Sequence, residues 1–228
     1  EIADLYVQYL LYREASPDTI MPVLEIILEL EPENRSALLQ MLVFAIERND
    51  YEEVIRCSDN AILYIPDMLE LYYYKGIASY LLGKKQECAG IYELGLSRRS
   101  EECTPELVAK VFSGLADTYH ELEMMGKCME VYDSALVYNP SEISVLNNYA
   151  YYLSLEGKQL ERALEMSAKT LEMEPDNAIY IDTYAWILFC LERYEEAKAY
   201  AEKMIQLNTD MGAVEYHHCG DIFAKCGD

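Results

Sequence analysis

Glu215, His217, Cys219 and Asp221 crowd one short segment near the end of the chain. Carboxylate, imidazole and thiolate are all zinc-ligand types, and His217 with Asp221 forms an i, i+4 pair on one helix face. His217 and His218 are adjacent, so on a helix they point to different sides and do not converge on one ion. The plainer reading is the solvated end of a structural unit. A second group, Asp117, His120 and Glu121, has the residue types of an acid/base cluster; its plainer reading is a polar patch. The chain has three histidines and carries no Gly-rich phosphate loop, no Ser-His-Asp set and no Cys/His metal spacing. The expectation is therefore no enzyme, no catalytic residue, no metal and no cofactor.

The elements that position these residues are set by a period. Pro32, Pro66, Pro140 and Pro175 each close an apolar run, and Pro32, Pro140 and Pro175 directly follow an acidic or polar residue. Pro32 to Pro66 is 34 residues, Pro140 to Pro175 is 35, and Pro66 to Pro140 is 74, two such units plus six. A period of this length, punctuated this way, predicts stacked pairs of helices. Units fall at roughly 1–34, 35–68, 69–108, 109–142, 143–177 and 178–212, with a half unit at 213–228. The six extra residues lie near Ser97–Thr104, as a longer second helix or a longer loop. Thr104-Pro105 reads as a fresh helix start, with a capping residue and Pro in the first turn. Sustained alternation of period 2 is absent, so strands are not expected.

Within each unit small residues (Gly76, Ala116, Ala150, Ala185) alternate with large ones (Leu38, Tyr72, Phe112, Leu146, Ile181). The small ones let two helices approach and the large ones fill the remaining space. The fifth unit reads Leu146-Asn147-Asn148-Tyr149-Ala150-Tyr151-Tyr152-Leu153, then Gly157, Ala163, Ser167, Thr170 and Pro175. The sixth reads Asp182-Thr183-Tyr184-Ala185-Trp186-Ile187-Leu188, then Tyr194-Glu195-Glu196-Ala197. This pattern resembles the tetratricopeptide repeat family, over nearly the whole chain. The first two units fit least well, with Val7-Gln8 and Met41-Leu42 at the Leu-Gly position. The resemblance implies an all-α, right-handed superhelical solenoid of antiparallel helix hairpins, acting as a protein-interaction scaffold. The fifth and sixth units look most like those of bacterial multi-repeat proteins, some envelope-associated. The half unit ends where a second helix is due, so the chain is expected to be a fragment of a longer array.

Composition narrows the partners. The net charge is −23, which repels phosphate backbones and disfavours nucleic acid, while a basic protein would be drawn to it. Acidic helix backs that serve only solubility are the alternative. No apolar stretch reaches the roughly 20 residues of a membrane span. Seven cysteines, an odd number, form no framework; Cys88, Cys128, Cys190 and Cys219 read as small core residues and Cys103 and Cys226 as more exposed. Free thiols lean toward a reducing compartment such as the cytoplasm, with the bacterial envelope the alternative. Tyrosine stands at 21 against 4 Phe and 1 Trp, more than hairpin packing alone needs.

In such a stack the first helices line the concave face. Their inward stripe, read by helical spacing, is Leu5, Tyr9 and Tyr12; Leu39, Val43 and Ile46; Tyr73, Ile77 and Tyr80; Ser113, Asp117 and His120; Asn147, Tyr151 and Ser154; Asp182, Trp186 and Phe189. From these, Tyr9, Tyr12, Tyr73, Ile77, Tyr80, Asp117, His120, Asn147, Tyr151, Asp182, Trp186 and Phe189 are the candidate partner-binding residues. Tyrosine, tryptophan and phenylalanine would anchor an extended peptide or an amphipathic helix, and Asp117 and Asp182 would favour Lys or Arg on it. No Lys/Arg cluster occupies the stripe, so a clamp for a C-terminal carboxylate is not expected. A structural spacer, or an array that self-associates weakly, is the alternative function.

Overall fold

The computed structural model describes residues 2–207 and 211–227, with side chains from residue 5 onward. Among the described residues there are thirteen α-helices and no strand. In chain order they are α1 (Ile2–Tyr12), α2 (Pro17–Leu30), α3 (Arg35–Glu47), α4 (Tyr51–Tyr64), α5 (Leu69–Leu81), α6 (Lys85–Arg98) and α7 (Pro105–Glu121). Then follow α8 (Met125–Tyr138), α9 (Ile143–Leu155), α10 (Leu160–Met173), α11 (Ala178–Cys190), α12 (Tyr194–Leu207) and α13 (Ala213–Cys226). Odd-numbered helices are the first helices of hairpins and even-numbered ones the second.

Helix boundaries follow local chemistry. Asn34, Asp50, Thr104 and Asn177 accept backbone N–H groups of the turn they precede, relieving donors that have no partner inside the helix. First helices end by a recurring device. The amide of Ala15, Asp50, Lys84, Met124, Lys158 or Arg193 donates to the carbonyl five residues earlier. The residue just before that amide is left-handed: Glu14, Asn49, Gly83, Glu123, Gly157 and Glu192. This is the Schellman ending, which needs positive φ at one residue. Gly83 and Gly157 adopt it without a Cβ penalty; the three glutamates do so against one. Second helices end two residues before Pro32, Pro66, Pro140 and Pro175.

The six extra residues of the third unit do not extend α6, which has the 14 residues of α2, α4, α10 and α12. Two of them lengthen the loop after α6, and four add a first turn to α7, which has 17 residues where α3, α5, α9 and α11 have 13. Thr104 caps that added turn through Leu107 N–H, so the join placed at 108/109 falls inside a helix.

The chain divides into two compact units, Glu1–Val131 and Tyr132–Asp228. In the first, hairpins α1/α2, α3/α4 and α5/α6 pack in succession and α5 also touches α7. Its core runs from Val7 and Leu10 through Leu24, Leu38, Met41 and Phe44 to Leu71 and Tyr72. Close approach of α5 and α6 depends on glycine: a Cβ on Gly76 would lie 2.2 Å from the Tyr92 ring, and one on Gly95 would lie 2.5 Å from Tyr72. In the second unit α9 packs on α10 and α11 on α12, and the first helices α9, α11 and α13 lie side by side. Ile181, Ala185, Leu188, Ala197, Ala201, Met204, Cys219 and Ile222 form its core.

Buried tyrosines carry much of this packing. Tyr132 and Tyr149 stack with ring centroids 5.1 Å apart. The Tyr149 hydroxyl donates to Asp133 at 3.1 Å and accepts from Arg162 at 3.2 Å. Arg162 also lies over the Tyr149 ring and reaches Asp133 at 2.6 Å. The Tyr149 phenol thus fills core volume while its polar tip finds partners at the helix edge.

Candidate functional site

The stripe positions given by helical spacing differ in exposure from helix to helix. Tyr9 and Tyr12 on α1 are exposed; Tyr73, Ile77 and Tyr80 on α5 and Asp117 and His120 on α7 are half-buried. On α9 and α11, Tyr151, Trp186 and Phe189 are half-buried, whereas Asn147, Ser154 and Asp182 are buried. In the second unit α11 lies along one side of α9 and α13 along one side of α11, so the small polar positions of α9 and α11 close off while their large rings keep some exposure.

In the first unit, Glu121 accepts a hydrogen bond from Lys85, and that bond holds its carboxyl below the usual range. Tyr80 is pushed upward, first by burial and then by the charges of Glu121 and Asp117. Asp117 and Glu121 therefore form an anionic edge beside Tyr80, with Lys85 as counter-ion.

The second unit holds the most developed constellation. Asn147 and Tyr151 are one helical turn apart on α9, and Asp182, Trp186 and Phe189 occupy the equivalent stripe of α11, 35 residues on. Cys190 of α11 reaches the Ser154 carbonyl of α9, tying the two helices together. From α13 comes His218, whose ring nitrogen lies 2.8 Å from Asp182 Oδ2. Side-chain exposure is 4% for His218 and 10% for Asp182. The Trp186 ring stacks on His218 at 4.1 Å and on Phe189 at 5.0 Å. Tyr151 also meets the His218 ring, at 6.1 Å. Burial, then Asp182 and Glu215, raise the Tyr151 phenol above its ordinary value.

His218 is not part of a solvated helix end; it is the buried partner of Asp182. The burial arises because α13 packs against α11. The signal lay in the spacing, since His218 is 36 residues after Asp182, about one repeat. His217 does sit outside, 3.7 Å from Asp221. Among the described residues, no three His, Cys, Asp or Glu side chains are grouped to hold a metal.

Three buried polar atoms of this face have no hydrogen-bond partner among the described residues: Asn147 Oδ1, Asp182 Oδ1 and Trp186 Nε1. Two are acceptors and one is a donor. Buried polar groups are nearly always paired, by protein or by ordered water; these three, carried by the adjacent helices α9 and α11, have no protein partner among the described residues.

No protein-family model matches this chain and no curated protein matches it in sequence. Solved structures match its backbone. PilF of Pseudomonas aeruginosa superposes with a TM-score of 0.73 over 94% of this chain and 95% of its own, at 17% identity. A tetratricopeptide repeat protein from Parabacteroides merdae gives 0.68 over 85% of this chain and 73% of its own, at 18% identity. YrrB, described as a TPR protein with an unusual peptide-binding site, gives 0.66 over 85% of this chain and 96% of its own, at 18% identity. The chain has the tetratricopeptide-repeat fold. The Asn147/Asp182 and Tyr151/Trp186 pairs lie 35 residues apart, at equivalent places on the first helices α9 and α11. No helix among the described residues is long and apolar enough to cross a membrane.

Proposed function

We propose that the chain is a non-catalytic protein-interaction scaffold whose first helices hold an extended peptide or a helix of a partner. One observation carries this reading: Tyr151, Trp186 and Phe189 offer half-buried rings on the same face where Asn147, Asp182 and Trp186 leave hydrogen-bonding atoms open. Rings that keep part of their surface exposed can lose it to a ligand, and open polar atoms fix its register. A tetratricopeptide-repeat neighbour described as having a peptide-binding site supports the reading by analogy. Tyr73, Ile77 and Tyr80 offer a comparable half-buried set in the first unit.

The test is affinity capture from the source cell, comparing the parent with a Tyr80→Ala, Tyr151→Ala, Trp186→Ala variant of equal helicity. Loss of a retained protein supports the scaffold. Undiminished capture by the variant, or a variant that loses its helicity, overturns the assignment of these rings to partner binding.

A further inference from the structure

Asp182 is the charged member of the open set, and its surroundings are acidic. Its Oδ2 is served by His218, while Oδ1 is buried with no partner among the described residues. Asn147 Oδ1, one turn below Tyr151 on the neighbouring helix, is a second open acceptor. Glu215 on α13 adds negative charge near Tyr151, in a chain of net charge −23. Two acceptors, one of them a carboxylate, ask for a donor-rich cation. The apolar rings around them suit the methylene stem of a long basic side chain.

We propose that the α9/α11/α13 face contains a pocket for a lysine or arginine side chain of the bound segment, its charge taken by Asp182 and a second hydrogen bond by Asn147. His218 is the positioning residue: holding Oδ2, it turns Oδ1 toward the ligand. Trp186 Nε1, the open donor, is matched by a carbonyl of the same segment. All three atoms are closed to solvent in the free chain, so filling the pocket requires a side chain of this face to turn aside. This inference rests on the peptide-holding role of the first helices and specifies its chemistry.

Trp186 is the only tryptophan of the chain, so its fluorescence reads this pocket alone. The probes are acetyl-Gly-Gly-Xaa-Gly-Gly-amide peptides with lysine, arginine, norleucine or citrulline at Xaa. Lysine and arginine peptides are expected to give a saturable change, with binding about tenfold or more tighter than their neutral counterparts and weakening as salt rises from about 50 to about 300 mM. Asp182→Asn, checked for helicity, is expected to lose about the same factor. Equal binding of norleucine and lysine peptides, as a simple water-filled pocket predicts, overturns the cation pocket and leaves the scaffold standing. So does unchanged affinity in Asp182→Asn, or no response to either cationic peptide up to about millimolar concentration. The lysine–norleucine comparison uses the native chain and does not depend on any variant folding. Failure of the scaffold itself is read separately, in undiminished capture by the triple variant.

Discussion

Replacing His218 with alanine should destabilise the second unit out of proportion to the volume removed. The Asp182 carboxylate has one hydrogen bond among the described residues, the 2.8 Å contact to His218, and its side chain is 10% exposed. His218→Ala leaves that carboxylate buried and unpaired, at a cost of about 3–5 kcal/mol for breaking one side of a buried pair. The same change removes the ring stacked at 4.1 Å on Trp186. Adding Asp182→Asn removes the stranded charge, so the double variant should recover about 1–3 kcal/mol relative to the sum of the singles. The assay is urea unfolding followed by Trp186 emission, with far-UV circular dichroism in parallel, because repeat arrays need not unfold in one step. With a slope of about 1–3 kcal/mol per molar urea, the tryptophan midpoint should fall by about 1–5 M. A loss below about 1 kcal/mol, or strictly additive singles, would show that Asp182 reaches water once the imidazole is gone, refuting the buried-pair reasoning.

Gly76→Ala puts a Cβ 2.2 Å from the buried Tyr92 ring and should cost about 1–3 kcal/mol or more by overpacking. Gly90→Ala, inside α6 with open space around it, should instead stabilise by about 0.5–1 kcal/mol, and thermal melts of the two variants check the contrast. Glu192 holds a left-handed conformation, φ 60, at the end of α11; Glu192→Gly should raise stability by about 0.5 kcal/mol in chemical denaturation. Burial pushes the Cys57 thiol up to about 12 and Cys219 up to about 11, from an ordinary 9.0. Both should therefore react with a disulfide reagent only on unfolding at about pH 8, after the part-exposed Cys103. A thiol that titrates higher in the folded chain favours folding below its unfolded value. It loses that contribution as pH rises through the folded value, so stability should decline between about pH 9 and about pH 12.

What could be read without coordinates is local or periodic. The prolines, the Thr104-Pro105 start and the small residues Gly76, Ala116, Ala150 and Ala185 act through nearest-neighbour packing and backbone geometry, which the sequence states directly. The stripe of Tyr151, Trp186 and Phe189 followed from helical spacing for the same reason. The division into two compact units was not legible, since it depends on which helix pairs touch. Nor was the division of the six extra residues into two of loop and four of added helical turn, because Thr104-Pro105 marks the start of α7 while no proline follows α6 to mark its end.

Helix count and hairpin period were determined by the sequence, because a repeating unit must bury the same face each time it recurs. Only the tertiary structure decided which stripe positions close and which stay open. Asn147 and Asp182 are buried because another first helix lies across them, and His218 becomes the partner of Asp182 because α13 is laid beside α11. An open hydrogen-bonding atom is a property of everything around it, and no single helix carries that information.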